Sequence, residues 1–151
     1  ASYGTKRFMN STNFPTVSDM NGTNTSAGVS HTLMTGRRTG VTPDYTCDHD
    51  AADTSYWTYT GNRGSASAST EWEGNRFFIT ASYCDRSYDG VPPGATAKRH
   101  DQIQEYSAGV SRKIGRDATV SFSDYFTIND SNIPFYQYTR NIIGIFAEIR
   151  L

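Results

Sequence analysis

Asn141-Ile-Ile-Gly-Ile-Phe-Ala-Glu-Ile-Arg-Leu151 alternates with period two. Ile143, Ile145, Ala147, Ile149 and Leu151 share one face, and Gly144, Phe146, Glu148 and Arg150 share the other. Successive side chains of a strand point to opposite sides, so this run reads as a strand with one apolar side. Wound as a helix, it would set Glu148 and Arg150 among the apolar residues and leave no stripe.

The same period recurs upstream. In Asp117–Ile128, Ala118, Val120 and Phe122 alternate with Thr119, Ser121 and Ser123; in Gln104–Ile114, Tyr106, Ala108 and Val110 alternate with Glu105, Ser107, Gly109, Ser111 and Lys113. The Ile114–Asp117 link, Ile-Gly-Arg-Asp, is hairpin chemistry. One hairpin earlier, Gly64–Trp72 alternates small residues and Glu73–Arg76 turns the chain. Phe77, Ile79, Ala81 and Tyr83 then alternate with Phe78, Thr80, Ser82 and Cys84.

Composition agrees with an all-β chain. Leu33 and Leu151 are the only leucines, whereas Tyr (10), Phe (8), Ser, Thr, Asn and Gly abound, so sheet and turn formers outnumber helix formers. A hydrophobic share of 36% is low for the core of an ordinary soluble domain. A net charge of −1 gives no electrostatic case for nucleic acid or for an anionic membrane surface. No run approaches the ~18 apolar residues of a transmembrane helix, but barrel strands need only ~9–11 residues with alternate ones apolar. The chain opens at Ala1, as a processed exported protein or a piece of something longer would.

Connection lengths sort by end. Glu73–Arg76 and Gly115–Asp117 are short, whereas Asp89–Asp101, with Val91-Pro-Pro-Gly94, and Asn129–Arg140, with Asn132-Ile-Pro-Phe-Tyr136, are long and polar. Short turns alternating with long loops, and strands apolar on one side and rich in Ser, Thr and charge on the other, predict an antiparallel up-and-down transmembrane β-barrel. The N-terminal half is less regular. Ser2–Met9, Ala27–Met34, Thr42–Cys47 and Thr54–Thr60 read as strands, Asn10–Ser26 as a loop, and an acidic loop lies between the last two strands. The expectation is a small closed barrel of about eight strands in one domain over 1–151, or the C-terminal part of a wider barrel.

Asn129-Asp-Ser-Asn-Ile-Pro-Phe-Tyr-Gln-Tyr-Thr-Arg-Asn141 and the strand after it resemble the C-terminal end of an outer-membrane β-barrel porin family associated with exopolysaccharide export. The resemblance covers about the last thirty-five residues well and the preceding hairpin loosely. It implies a bacterial outer-membrane location, outer-membrane lipid as surroundings, and polysaccharide or a small solute as cargo. The final strand is similar to the signal read by the outer-membrane assembly machinery, where a terminal aromatic is usual; Leu151 departs from that. Members of the family are several hundred residues long, so this chain resembles either a fragment or a small relative.

On this reading Phe77, Ile79, Tyr106, Val110, Val120, Phe122, Ile143, Ile145, Ile149 and Leu151 face lipid. Arg86, Glu105, Lys113, Glu148 and Arg150 face the lumen, and Trp72, Tyr83, Tyr106 and Tyr125 sit in interfacial girdles. Cys47 and Cys84 are compatible with one disulfide or with two unrelated thiols. Asp48, Asp50 and Asp53 offer oxygen ligands for calcium, yet lack the Gly and terminal Glu of a helix–loop–helix site, so a solvated acidic loop is the blander reading. His31, His49 and His100 lie on separate segments with no nucleophile motif beside them. The expectation is a passive channel or export pore, not an enzyme and without a cofactor. A small closed barrel serving as anchor or surface-binding module, and a soluble β-sandwich adhesin or capsid-like subunit, are the competing readings.

Overall fold

The computed structural model describes residues 1–7, 20–115 and 118–149. Its strands are β1 (Ser2–Lys6), β2 (Gly22–Ser30), β3 (Leu33–Met34), β4 (Thr39–Ala52), β5 (Tyr59–Trp72), β6 (Asn75–Tyr88), β7 (His100–Ile114), β8 (Ala118–Ser131) and β9 (Tyr138–Ile149). They form one 9-stranded antiparallel sheet in the order β1-β2-β4-β5-β6-β7-β8-β9, with β3 beside β4. Every step along that order joins neighbours in sequence, which makes the sheet an up-and-down meander.

β2 and β3 form one pass against β4, because Ser30 pairs with Asp44 and Leu33 with Val41. The gap between them faces Pro43, which has no N–H to give to the ladder; His31 N–H still reaches the Pro43 carbonyl at 3.2 Å. The meander therefore makes eight passes; Thr54–Thr60 and Gly64–Trp72, read from sequence as two strands, fall on one, β5. The meander is not closed: among the described residues β1 and β9 stand at opposite edges, the former 5 residues long and the latter 12. Pairing with so short a strand would leave most of β9 without a neighbour.

Glu73 and Gly74, with φ of 49° and 77°, turn β5 into β6 between the paired residues Trp72 and Asn75. Two central residues at positive φ give the turn whose twist matches that of the strands it joins. Thr35–Arg38 makes another turn at this end, and Gly115, at φ 69°, follows the end of β7 there. The opposite end carries 53–58, 89–99 and 132–137, the last holding a 3₁₀ turn at Pro134–Tyr136.

Three expectations change in the structure. The acidic segment is not a loop: Asp48 and Asp50 lie within β4 with Asp44 of the expected strand, alternating with Tyr45, Cys47 and His49, so the charges share one side of a strand. The expected strand at Thr54 begins only at Tyr59, because the Thr58 hydroxyl donates to the Ala52 and Thr54 carbonyls at 3.2 Å and closes a turn. Gly22–Ser26, expected as loop, is strand paired to β4, and β8 and β9 extend into the expected loop to Ser131 and from Tyr138. The expected strand and loop residues between Phe8 and Asp19 lie outside the described residues.

The sheet curls. Its concave face carries Ser65, Ser82, Glu105, Ser107, Ser123 and Thr127, and its convex face Phe77, Ile79, Val110, Val120, Phe122 and Ile145. Most of the fully covered side chains gather in the loop-end half of the concave face: Asp50, Cys84, Tyr88, Asp101, Ile103, Asn129 and Ser131. The core is therefore small and off-centre, and it is largely polar.

Candidate functional site: a polar concave face with a closed end

Antiparallel register brings the polar residues of successive strands into rows. Arg63, Cys84, Ile103 and Asn129 make one row; Gly61, Arg86, Asp101 and Ser131 make the next toward the loops. Strands β2 and β4–β9 together line a cavity of about 760 Å³, whose charged residues are Asp44, Asp48, Arg63, Arg86, Glu105 and Arg140. Three acids balance three arginines. Arg63 and Glu105 pair at 3.0 Å, and the Ser82 hydroxyl donates to the same carboxylate at 3.1 Å. Lys6 pairs with the buried Asp50. Opposite charges set within reach on one side of a sheet remove much of the desolvation penalty that each would meet alone.

Over the loop end the concave face is covered. Arg99 donates to Asp101 (Nε to Oδ1, 3.0 Å), and Asp101 is wholly buried. The Arg99 guanidinium lies 4.5 Å from the ring centroid of Tyr88 and 3.8 Å from that of Tyr136, so two aromatic faces hold it. Arg86 sits 4.7 Å from the Tyr59 ring, and Tyr59 packs against Tyr88 at 5.3 Å. Trp57 meets Tyr136 edge-on at 6.5 Å, which joins the 53–58 loop to the 132–137 loop.

Backbone bonds complete the cover. Gly90 N–H donates to the Ser55 carbonyl at 2.9 Å, and Asp89 N–H to that of Thr58 at 3.0 Å. A Cβ on Gly90 would stand 2.5 Å from Tyr56 N, so this approach needs glycine. Asn132 accepts from His100 N–H and donates to the Lys98 carbonyl, both at 2.8 Å, while Asn129 donates to the Tyr136 carbonyl at 2.7 Å.

The expected lumen residues Arg86 and Glu105 line the cavity. Lys113 and Glu148 share their face but lie nearer the turns, both opposite Thr119. Arg150 and Leu151 lie outside the described residues. All the other expected lipid-facing residues are convex: Phe77, Ile79, Tyr106, Val110, Val120, Phe122, Ile143, Ile145 and Ile149. Trp72 and Tyr83 are convex as well, but Tyr125 is not. It has the parity of Ser121 and Ser123 and lines the cavity.

Two readings left open by the sequence are decided by the geometry. Cys47 and Cys84 are free thiols on opposite sides of the sheet, with β5 between their strands, so they do not form a disulfide. Asp48, Asp50 and Asp53 do not form a calcium site: no group of three His, Cys, Asp or Glu suited to a metal occurs among the described residues. Asp50 is engaged by Lys6, and Asp53 follows the end of β4.

Sequence reading missed two features. The cover over the loop end joins residues far apart in the chain, and no local pattern encodes it. Asp124 interrupts the convex apolar face between Ala108 and Ile143, and its Oδ1 is buried without a hydrogen-bond partner. No helix among the described residues is long and apolar enough to cross a membrane. No family model, curated protein or solved structure matches the chain.

Proposed function

We propose that this sheet is wall of a bacterial outer-membrane β-barrel whose polar interior serves as a passive channel or export pore, and that the chain is not an enzyme. The division between its two faces carries the reading. On the convex side Phe77–Tyr83 of β6 and Ile143–Ile149 of β9 are apolar at each outward position, over roughly 20 Å of strand, close to the ~25 Å lipid band of membrane barrels. Beyond that band the outward residues turn polar: Asp85 and Ser87 on β6, Asn141 and Thr139 on β9. Tyr83, Tyr106 and Trp72 mark its margins, all substantially exposed. The concave side holds the hydroxyls and balanced charges of a wet interior.

A charge-balanced lining suits an uncharged polar solute, and polysaccharide is the solute that the terminal resemblance implies. In the bilayer both sheet edges need partners, because an unpaired backbone group in hydrocarbon costs several kcal/mol. The covered loop end favours a second reading, a plugged barrel that anchors its loops at the surface. Flotation with lipid vesicles after refolding tests the membrane reading: protein that remains in the aqueous fraction sinks it. Steady bilayer currents support the channel, and insertion without current supports the anchor.

A further inference from the structure

The Arg99 side chain contacts three parts of the loop-end cover: the Tyr88 ring at the end of β6, the Tyr136 ring in the 132–137 loop, and the buried carboxylate of Asp101 at the start of β7. We propose that the Arg99–Asp101 pair, clamped between Tyr88 and Tyr136, is a latch that holds the long loops shut over the concave face, and that its release opens the conduit. The opening step rests on the channel reading above; the latch itself does not.

Three observations separate a releasable latch from a fixed core. The β5–β9 ladders are complete without the cover, with pairing from Tyr59–Tyr88 to Trp72–Asn75 and from Asp101–Ser131 to Ile114–Ala118. The loops can therefore lift with every strand-to-strand pair kept. Loop joins to loop through few bonds, Gly90 and Asp89 to the 53–58 loop, Asn132 to Lys98 and the Trp57–Tyr136 edge contact, and loop to strand end through Asn132 to His100, Asn129 to Tyr136, Gln137 to Ser131 and Tyr88 N–H to the Arg99 carbonyl. What lies beneath is suited to water, since Asp101, Asn129 and Ser131 are polar and buried, and Arg86 Nε and Asn129 Oδ1 are buried without hydrogen-bond partners. Water admitted on opening would satisfy both atoms, which offsets part of what the lost contacts contribute.

Cys84 reports on the latch. It is 1% exposed, on the concave face two residues before Arg86, whereas Cys47 is exposed on the convex face. The experiment measures maleimide labelling of Cys84 in the full chain with Cys47→Ala as parent, against the same chain carrying Arg99→Ala or Tyr136→Ala. Arg99→Ala strands a buried carboxylate and can unfold the protein; Tyr136→Ala keeps the ion pair and removes one side of the clamp. The expected result is slow labelling in the parent and labelling about tenfold faster in Tyr136→Ala, equivalent to about 1.4 kcal/mol of lost closure, with an unchanged far-ultraviolet strand signal.

Rapid labelling in the parent, or equal slow rates in parent and variant, would overturn the latch. So would loss of the strand signal in Tyr136→Ala, because a latch releases without unfolding the sheet it closes. Flotation with vesicles is read separately. Protein that labels as expected but fails to float sinks the membrane reading and leaves the latch standing. Protein that floats and labels without change sinks the latch alone. In vesicles holding equal amounts of protein, Tyr136→Ala should raise potassium flux over the parent; equal flux with faster labelling would sink the opening step.

Discussion

Arg63 on β5 and Glu105 on β7 meet at 3.0 Å although β6 runs between their strands. Adjacent strands lie about 4.8 Å apart, so the two long side chains reach toward each other along the concave side, and the Ser82 hydroxyl of β6 between them donates to the same carboxylate. Both side chains are more than one-third exposed, which limits the energy of the contact. A double-mutant cycle with Arg63→Ala and Glu105→Ala should give a coupling of about 0.5–1 kcal/mol in denaturant titrations. A coupling of zero would mean that the pair adds nothing to stability in solution.

Outward and inward positions on one strand should respond oppositely to charge. Ile79 is convex in mid-band, and Thr80 faces the cavity. Ile79→Arg should weaken folding into lipid vesicles by about 2–4 kcal/mol, with Thr80→Arg well below that. Equal effects would mean that lipid does not cover the convex face.

Asp124 supplies a test with the opposite sign. Its buried, unpartnered oxygen lies among apolar residues of β7, β8 and β9. Asp124→Leu should stabilise the vesicle-inserted protein by about 1–3 kcal/mol, because it removes an unsatisfied polar group from the apolar face. Destabilisation would show that the carboxylate is held by a partner on that face.

The Glu73–Gly74 turn sets the register of β5 on β6. At φ of 77°, a β-branched side chain at 74 crowds the backbone, so Gly74→Val should cost about 1–2 kcal/mol of stability. Gly74→Asn should cost less, since Asn tolerates this conformation. A thermal melt of the two variants ranks them.

Much of the sheet is legible in the sequence, for a physical reason. From Gly64 onward the outward positions of the strands are mostly apolar, with Asp124 the exception on β8, so period assigns the strands and most of their outward faces without packing detail. On β4 that logic was obscured by density of charge. Asp48 and Asp50 look like a solvated loop until Arg63, Arg86 and Lys6 are seen to supply opposite charge on the same face. Tyr125 was misplaced because its size suggested a girdle while its parity, shared with Ser121 and Ser123, put it inside. Cys47 and Cys84 could not be judged from spacing, since a bond depends on which side of the sheet each thiol takes. The cover was illegible because its contacts join Trp57, Tyr88, Arg99 and Tyr136, drawn from four segments with no shared period.

The off-centre core has a mechanical consequence. Amide hydrogens at the loop ends of β6, β7 and β8, beneath Tyr88, Asp101 and Asn129, should exchange slowest, and those near the Gly74 and Gly115 turns fastest. The molecule is then a cantilever, clamped at one end and compliant at the other, and bending of the free end leaves the clamp undisturbed.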